Sequence, residues 1–257
     1  MSYALITGAS KGIGKAIATI LAQRKTDLIL VARSEDTLKQ VAEKLASAYQ
    51  VKVRYLSLDL SKQESAKQLF DWCVQQSLEV HIIVNNAGYG LSGNFEKYTW
   101  QQHTDMMTVN MDTPLQIIHT FLPMLKKQPK AYILNIASTV AYQALPMLTV
   151  YAASKVFMLN FSRALQYELR HTNVSVTAVS PGATDTDFVT RAEMGPKALK
   201  NASKVHMTPE AVAKIAVDSM FSKKIEVITG FTNKLGAFFA WLLPKRMVEG
   251  IAAGFYD

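Results

Sequence analysis

Tyr151 and Lys155 stand four residues apart in V-Y-A-A-S-K-V, residues 150–156. On a helix, positions i and i+4 share a face, so a phenol and an ammonium group would lie together in an otherwise apolar segment. A free tyrosine has a pKa of about 10. A neighbouring positive charge favours the phenolate and lowers that value. Such a phenol can give a proton to a carbonyl oxygen, or take one from an alcohol. Ser138 ends an apolar run upstream. Its hydroxyl could hold the same oxygen if that run and the Tyr151 helix are neighbours.

A second cluster suggests what this acid–base pair works with. Glycines 8, 12 and 14 fall in T-G-A-S-K-G-I-G, Thr7 to Gly14, between a short apolar run and a helical pattern. Without Cβ atoms the backbone turns tightly and lets a pyrophosphate approach. The helix that follows offers free N–H groups and a positive dipole end. Gly8, Ser10, Lys11, Gly12, Ile13 and Gly14 are therefore candidate cofactor contacts. In dinucleotide folds a carboxylate ending the second strand accepts from the ribose hydroxyls and repels a 2′-phosphate. Here V-A-R-S puts Arg33 and Ser34 at that place, with Lys11 nearby. Two cations favour NADPH over NADH through charge-assisted hydrogen bonds. Asp59 and Leu60 close a third strand, where the aspartate could accept from an adenine amino group. N-N-A-G, 85 to 88, closes a fourth, and Asn86, Ala87 and Gly88 would allow close approach of the adenosine half. Given such a cofactor, Lys155 can also bond the nicotinamide ribose.

The elements that must position these groups alternate along the chain. Strands are expected at Ala4–Thr7, Asp27–Ala32, Val51–Leu58, Val80–Asn85, Ala131–Ser138, Val174–Ser180 and Ile225–Thr229. Helices are expected at Ile13–Arg24, from the cap Ser34 to about Ala48, after the cap Ser61, through a long region to about Lys127, at Tyr151–Arg170 and at Thr208–Ser222. Pro209 opens the last of these. Continuous apolar strands separated by helices indicate a parallel sheet covered on both faces. Right-handed crossovers make it doubly wound. The expectation is α/β: a three-layer, Rossmann-type, seven-stranded parallel sheet in one domain over residues 1–257. A substrate lid over about 183–207 and a C-terminal extension over about 230–257 would complete it.

Taken in order, T-G-A-S-K-G-I-G, D-L at 59–60, N-N-A-G, Asn110, Ser138, Y-A-A-S-K and P-G at 181–182 resemble the pattern of the short-chain dehydrogenase/reductase family. The resemblance runs from residue 3 to about 230. It implies that Tyr151 is the general acid/base, that Lys155 supports it, that Ser138 orients substrate and that Asn110 anchors a proton-relay water. It further implies that Pro181, Gly182, Thr184 and Thr186 border the nicotinamide, and that the protein is a homodimer or homotetramer packed through helices around 100–126 and 151–170. One feature bears on Asn110 independently. Pro114 lies four residues on and has no N–H, so the Asn110 carbonyl lacks its helical donor and could bind a water. The activity expected is NADPH-dependent reduction of a ketone or aldehyde. The alternative is a non-catalytic NADP(H) sensor or scaffold, against which the full Ser138, Tyr151, Lys155 and Asn110 set argues.

Composition narrows the rest. The net charge is +8 and the pI near 9.4, but the lysines are scattered, without an aromatic platform, which disfavours nucleic acid. Cys73 is the single cysteine, so an intramolecular disulfide is impossible, and a reducing, cytoplasmic setting is expected. The N-terminus reads as no signal peptide, and nothing in the pattern calls for a metal. Substrate choice should lie in Tyr89–Tyr98, Thr139–Leu148 and Ala183–Met207, whose Leu91, Val140, Leu145, Met147, Phe188 and Met194 suit an apolar carbonyl compound. Arg191, Lys197, Lys200 and Lys204 read first as a solvated helix face, and secondly as a landing place for an acidic carrier. The run A-F-F-A-W-L-L, Ala237–Leu243, is far short of the roughly 20 residues of a membrane span. Lys234, Lys245 and Arg246 flank it. A core or subunit-contact helix is the preferred reading, and contact with an anionic membrane face the secondary one.

Overall fold

Side chains of the first strand alternate between two cores. Ala4 and Ile6 enter one, Tyr3 and Leu5 the other, the period of two that a strand covered on both faces requires. The computed structural model describes residues 2–184 and 207–256. Its seven-stranded sheet is built from β1 (Ser2–Thr7), β2 (Asp27–Ala32), β3 (Val53–Ser57), β4 (Glu79–Asn85), β5 (Ala131–Ile136), β6 (Val174–Ser180) and β7 (Glu226–Ile228). All pair in parallel, in the order β3-β2-β1-β4-β5-β6-β7. The strand order reverses between β1 and β4, which opens a crevice beyond their carboxyl ends.

One face is covered by α1 (Gly12–Gln23), α2 (Glu35–Tyr49) and the helix Pro209–Phe221. Ile17, Leu21, Leu38, Val217 and Met220 pack there against Leu28, Leu30 and Val84. The other face carries α3 (Ser65–Gln75) and α5 (Thr113–Lys127), whose Leu69 and Phe121 meet Ile29, Ile83 and Ile133. Each such fully buried side chain stabilises the fold by about 1.5–3 kcal/mol relative to exposure. Cys73 is buried on this side, and burial pushes its thiol up to about 12.

Two expectations change. Ser61 does not cap a helix: its hydroxyl donates to Asp59 Oδ1 at 2.9 Å, and α3 starts later, after Glu64 in a left-handed conformation. The long helical region to Lys127 is broken. Thr99 and Gln102 form a capping box that starts α4 (Trp100–Met107), and a π-turn over Thr108–Asp112 then precedes α5. The Thr113 N–H donates to the Thr108 carbonyl, five residues back rather than four. Pro114 supplies the reason, since it has no N–H for the Asn110 carbonyl and the ladder must shift register around it. At Thr208 the reading holds: its hydroxyl accepts from the Ala211 N–H at 3.2 Å, with Pro209 next in the helix.

Candidate active site

The carboxyl ends of the strands bring the expected residues to one edge of the sheet. Gly8 follows β1, Arg33 follows β2, Asp59 lies just past β3, Asn86 to Gly88 follow β4, Ser138 lies just past β5, and Pro181 and Gly182 follow β6. This is the edge at which an open parallel sheet takes its ligands.

The glycine turn is held from below by the side chains of Thr7 and Asn86. Thr7 Oγ1 donates to the Val84 carbonyl at 3.2 Å and accepts from the N–H groups of Asn86 and Ala87, at 3.0 and 3.1 Å. Asn86 Nδ2 donates to the carbonyls of Thr7 and Gly8, at 3.0 and 3.2 Å. Gly8 and Gly12 have positive φ, 66° and 53°, which glycine adopts without strain. A Cβ at Gly14 would overlap the Gly8 carbonyl and the Asn86 amide, so the turn closes on itself only with glycine there. The first turn of α1 contains no acidic residue, and Lys11 at its cap position makes no side-chain capping bond. Those N–H groups suit a pyrophosphate, and the site fits a dinucleotide on that ground.

Arg33 and Ser34 are exposed at the end of β2, and the Ser34 hydroxyl makes no capping bond to α2. Asp59 is held below its ordinary value. Burial works against this, but the N–H and hydroxyl of Ser61 and the charges of Arg33 and Lys62 outweigh it. The carboxylate thus stays ionised within reach of the Arg33 charge.

Tyr151 and Lys155 lie on α6 (Thr149–Glu168), both buried. Lys155 Nζ is 5.7 Å from the Tyr151 ring centroid and donates to the Ile136 carbonyl at 2.9 Å, two residues before Ser138. Burial pushes its ammonium down to about 8. Gly88 lies against it: a Cβ there would come 3.4 Å from Lys155 Nζ and 3.0 Å from Asn110 Oδ1. Ser138 opens a 3-10 turn, Thr139–Tyr142, that packs on α6, and its Oγ accepts from the Val140 N–H at 3.3 Å. Asn110 is almost wholly buried. Its side chain pairs with the Tyr89 backbone in both directions, at 3.0 and 3.1 Å, and donates to Ser154 Oγ at 3.0 Å. The Asn110 amide is thus fully committed to Tyr89 and Ser154.

Beside the 3-10 turn is a cavity of about 290 Å³. Val140 and Leu145 form one wall. The other comes from two helices of the extension, α8 (Phe231–Leu242) and α9 (Lys245–Tyr256), through Asn233, Ala237, Ala240 and Ala252 (α7 being Pro209–Phe221). Ala252 also packs in one apolar cluster with Leu145, Leu148 and Tyr151. Thr184 lies at the same edge, its hydroxyl on the Gly182 carbonyl at 3.0 Å. Thr186, Phe188, Met194 and the basic residues Arg191 to Lys204 lie outside the described residues.

Sequence reasoning missed four contributors. Thr7 and Ser154 sit inside quoted motifs, but their hydrogen bonds span distant segments; Ser154 Oγ also donates to the Tyr151 carbonyl at 2.7 Å. Asn233 fills the space a Cβ on Gly182 would need and donates to the Thr229 carbonyl at 2.7 Å, fixing the P-G turn from the extension. Glu226 accepts from the Tyr142 hydroxyl at 2.6 Å and pairs with Arg163 at 3.2 Å, tying the 3-10 turn to β7. Burial and that carboxylate push the Tyr142 phenol well above its ordinary value, so it stays neutral and is no rival acid–base group.

Comparisons with known proteins agree with this geometry. The family model for short chain dehydrogenases matches residues 2–196. An uncharacterized oxidoreductase of Staphylococcus epidermidis is 32% identical over 192 residues, covering 75% of this chain and 82% of that protein. A short-chain dehydrogenase from Sphingobium yanoikuyae, solved in complex with NADPH, superposes with a TM-score of 0.82 at 26% identity, covering 94% of both chains. One from Burkholderia phymatum, solved with NAD, is similar in fold alone, with a TM-score of 0.81 at 22% identity over 94% of both chains. The glycine turn, the buried Tyr151–Lys155 pair and the matching family model lead to one statement: the chain belongs to the short-chain dehydrogenase family and is an oxidoreductase built to hold a nicotinamide dinucleotide.

Proposed function

We propose that the protein reduces an apolar ketone or aldehyde to its alcohol, with NADPH as the reductant. The buried Lys155 ammonium carries this reading. It is fixed between the Ile136 carbonyl and the Tyr151 ring, where a charge can act on a phenol. A reduced nicotinamide, when bound, supplies the hydride for the carbonyl carbon. Ser138 donates a hydrogen bond to the carbonyl oxygen and orients it. Tyr151 gives that oxygen its proton as negative charge develops there. Lys155 stabilises the resulting phenolate, and a water anchored by Asn110 returns the proton to Tyr151 from solvent. One carbonyl, one hydride and one proton thus become one alcohol.

Arg33, Ser34 and Lys11 support the preference for NADPH. Arg33 and Ser34 follow β2 directly, where a carboxylate would accept from the ribose hydroxyls, and Lys11 stands at the cap position of α1. The cavity beside Thr139–Tyr142 supports a substrate with an apolar body and a polar group, since Val140, Leu145, Ala237, Ala240 and Ala252 line it together with Thr139, Tyr142, Gln143, Thr232 and Asn233. The pairing of copies through α4, α5 and α6 belongs to the same reading, with Phe157 exposed on α6 and stacked on Phe161.

The test is NADPH oxidation against ketones and aldehydes of graded chain length, with NADH in parallel. Rates should rise with chain length and favour NADPH. Tyr151→Phe should lose about 10²–10⁴-fold in turnover while still binding NADPH. Turnover unchanged in Tyr151→Phe would refute the mechanism, and equal rates with NADH would refute the cofactor assignment.

A further inference from the structure

The helix α8 wears its large side chains on the outside. Asn233, Ala237 and Ala240 face the protein, whereas Phe231, Leu235, Phe238 and Leu242 follow one another at helical spacing on the exposed side. Phe231 is 79% exposed and Trp241 beside this stripe 73%. The rings of Phe238 and Trp241 lie 6.2 Å apart, so the stripe is continuous. On α9 the pattern repeats, with Val248 and Ala252 inside and Met247 and Ile251 outside. An ordinary amphipathic helix does the reverse. A contiguous exposed patch of this kind marks a surface that is covered in use.

Charge decides what covers it. Lys234 lies within the outward stripe, three residues from Phe231 and four from Phe238. Lys245 and Arg246 stand at the junction of the two helices. In the extension, residues 230–257, the cations Lys234, Lys245 and Arg246 outnumber the side-chain carboxylates, Glu249 and Asp257. A two-fold contact with a second copy would set this cationic, apolar face against an identical one. Anionic headgroups complement it, and lysines reach them with their stems laid along the apolar layer. Twelve residues of helix span about 18 Å, against about 30 Å of hydrocarbon. Among the described residues no helix is long and apolar enough to cross a membrane. The pair therefore lies in the interfacial plane.

We propose that α8 and α9 dock the protein on an anionic lipid surface. Their inner faces form a wall of the cavity beside the Thr139–Tyr142 turn, so docking would bring that cavity to the layer in which apolar carbonyl compounds partition. This last step rests on the proposed function; the docking itself does not.

The experiment is co-sedimentation of the full chain, without cofactor, with phosphatidylcholine vesicles and with vesicles also containing phosphatidylglycerol. Binding should require phosphatidylglycerol and fall with salt. It should weaken about fivefold for each of Lys245→Gln and Arg246→Gln. Phe238→Ser with Trp241→Ser should abolish it. Because that pair could fail to fold, brominated lipid provides a second readout: it should quench tryptophan fluorescence in the native protein and spare Trp241→Phe. No vesicle binding, binding indifferent to phosphatidylglycerol, or quenching that persists in Trp241→Phe would overturn the proposal. A dimer dissociated by Phe238→Ser without any vesicle binding would assign the face to a second copy. In either event, reduction of a water-soluble aldehyde would still stand or fall separately.

Discussion

The turn after β1 and the last two helices both depend on glycine, for opposite reasons. At Gly8 and Gly14 the chain has no room: a Cβ on either would press on the Asn86 amide and on neighbouring backbone. At Gly236, Gly250 and Gly254 a Cβ would meet nothing within 4 Å. In the first region the glycines let two strands and a helix close on one another, with Thr7 and Asn86 bonded across the junction. In the second they sit on helices whose outer sides carry large exposed apolar side chains, Phe231 and Trp241 among them. Crowding marks the turn proposed to hold the dinucleotide, and open space marks the helices proposed to meet a lipid surface.

Gly14→Ala should give the largest effect. The added methyl has backbone on one side and a hydrogen-bonded amide on the other, so the turn must open. Destabilisation of about 1–3 kcal/mol is expected. NADPH affinity should drop tenfold or more, because the α1 N–H groups move with the turn. Thermal melting and fluorescence titration measure the two. Unchanged affinity would show that the turn does not hold the pyrophosphate, and the contrast between the regions would lose its functional meaning.

Lys155 tests the crowded region in another way. Its pKa of about 8 lies below the ordinary 10.5 because burial disfavours the charge. Between those values the unfolded chain holds a proton that the folded one has released, so stability rises with pH through that window. Below about pH 8 both forms are protonated and the cost of burying the charge is carried in full. Lys155→Met should therefore stabilise the cofactor-free protein near pH 7, by about 1–2 kcal/mol once the lost bond to the Ile136 carbonyl is allowed for. The gain should shrink toward pH 10. A gain independent of pH would show that Lys155 is not held as a buried cation.

What could be read from the sequence follows the same division. β2 and β6 lie at Asp27–Ala32 and Val174–Ser180, as their uninterrupted apolar runs predict, because burial on both faces writes itself directly into residue type. The Tyr151–Lys155 pair was legible because i and i+4 on one helix are local neighbours. Ser61 misled because its hydroxyl serves Asp59, a turn that competes with capping for the same atom. The register of Asn110 was half legible. Pro114 announces a lost donor, but the clamp of the Asn110 side chain on Tyr89 joins residues 21 apart and leaves no local trace. Asn233 against Gly182 is equally hidden. Hydropathy alone does not say which side of the run Ala237–Leu243 faces inward; its aromatic residues face out, which departs from a core helix and agrees with a contact surface of either kind.

Gly250→Ala should produce the smallest effect, and of opposite sign to Gly14→Ala. Gly250 lies inside α9 with open space around it. Alanine there restricts the unfolded backbone and supports the helix, so stabilisation of about 0.5–1 kcal/mol is expected. For a chain of this size that is a rise in melting temperature of roughly 1–4 °C. The measurement is differential scanning fluorimetry without lipid, repeated across protein concentration. Destabilisation would mean that the bare side of α9 is already packed against a second copy in solution, closely enough that one methyl group is felt. A concentration-independent rise would leave that side open to the lipid surface proposed for it.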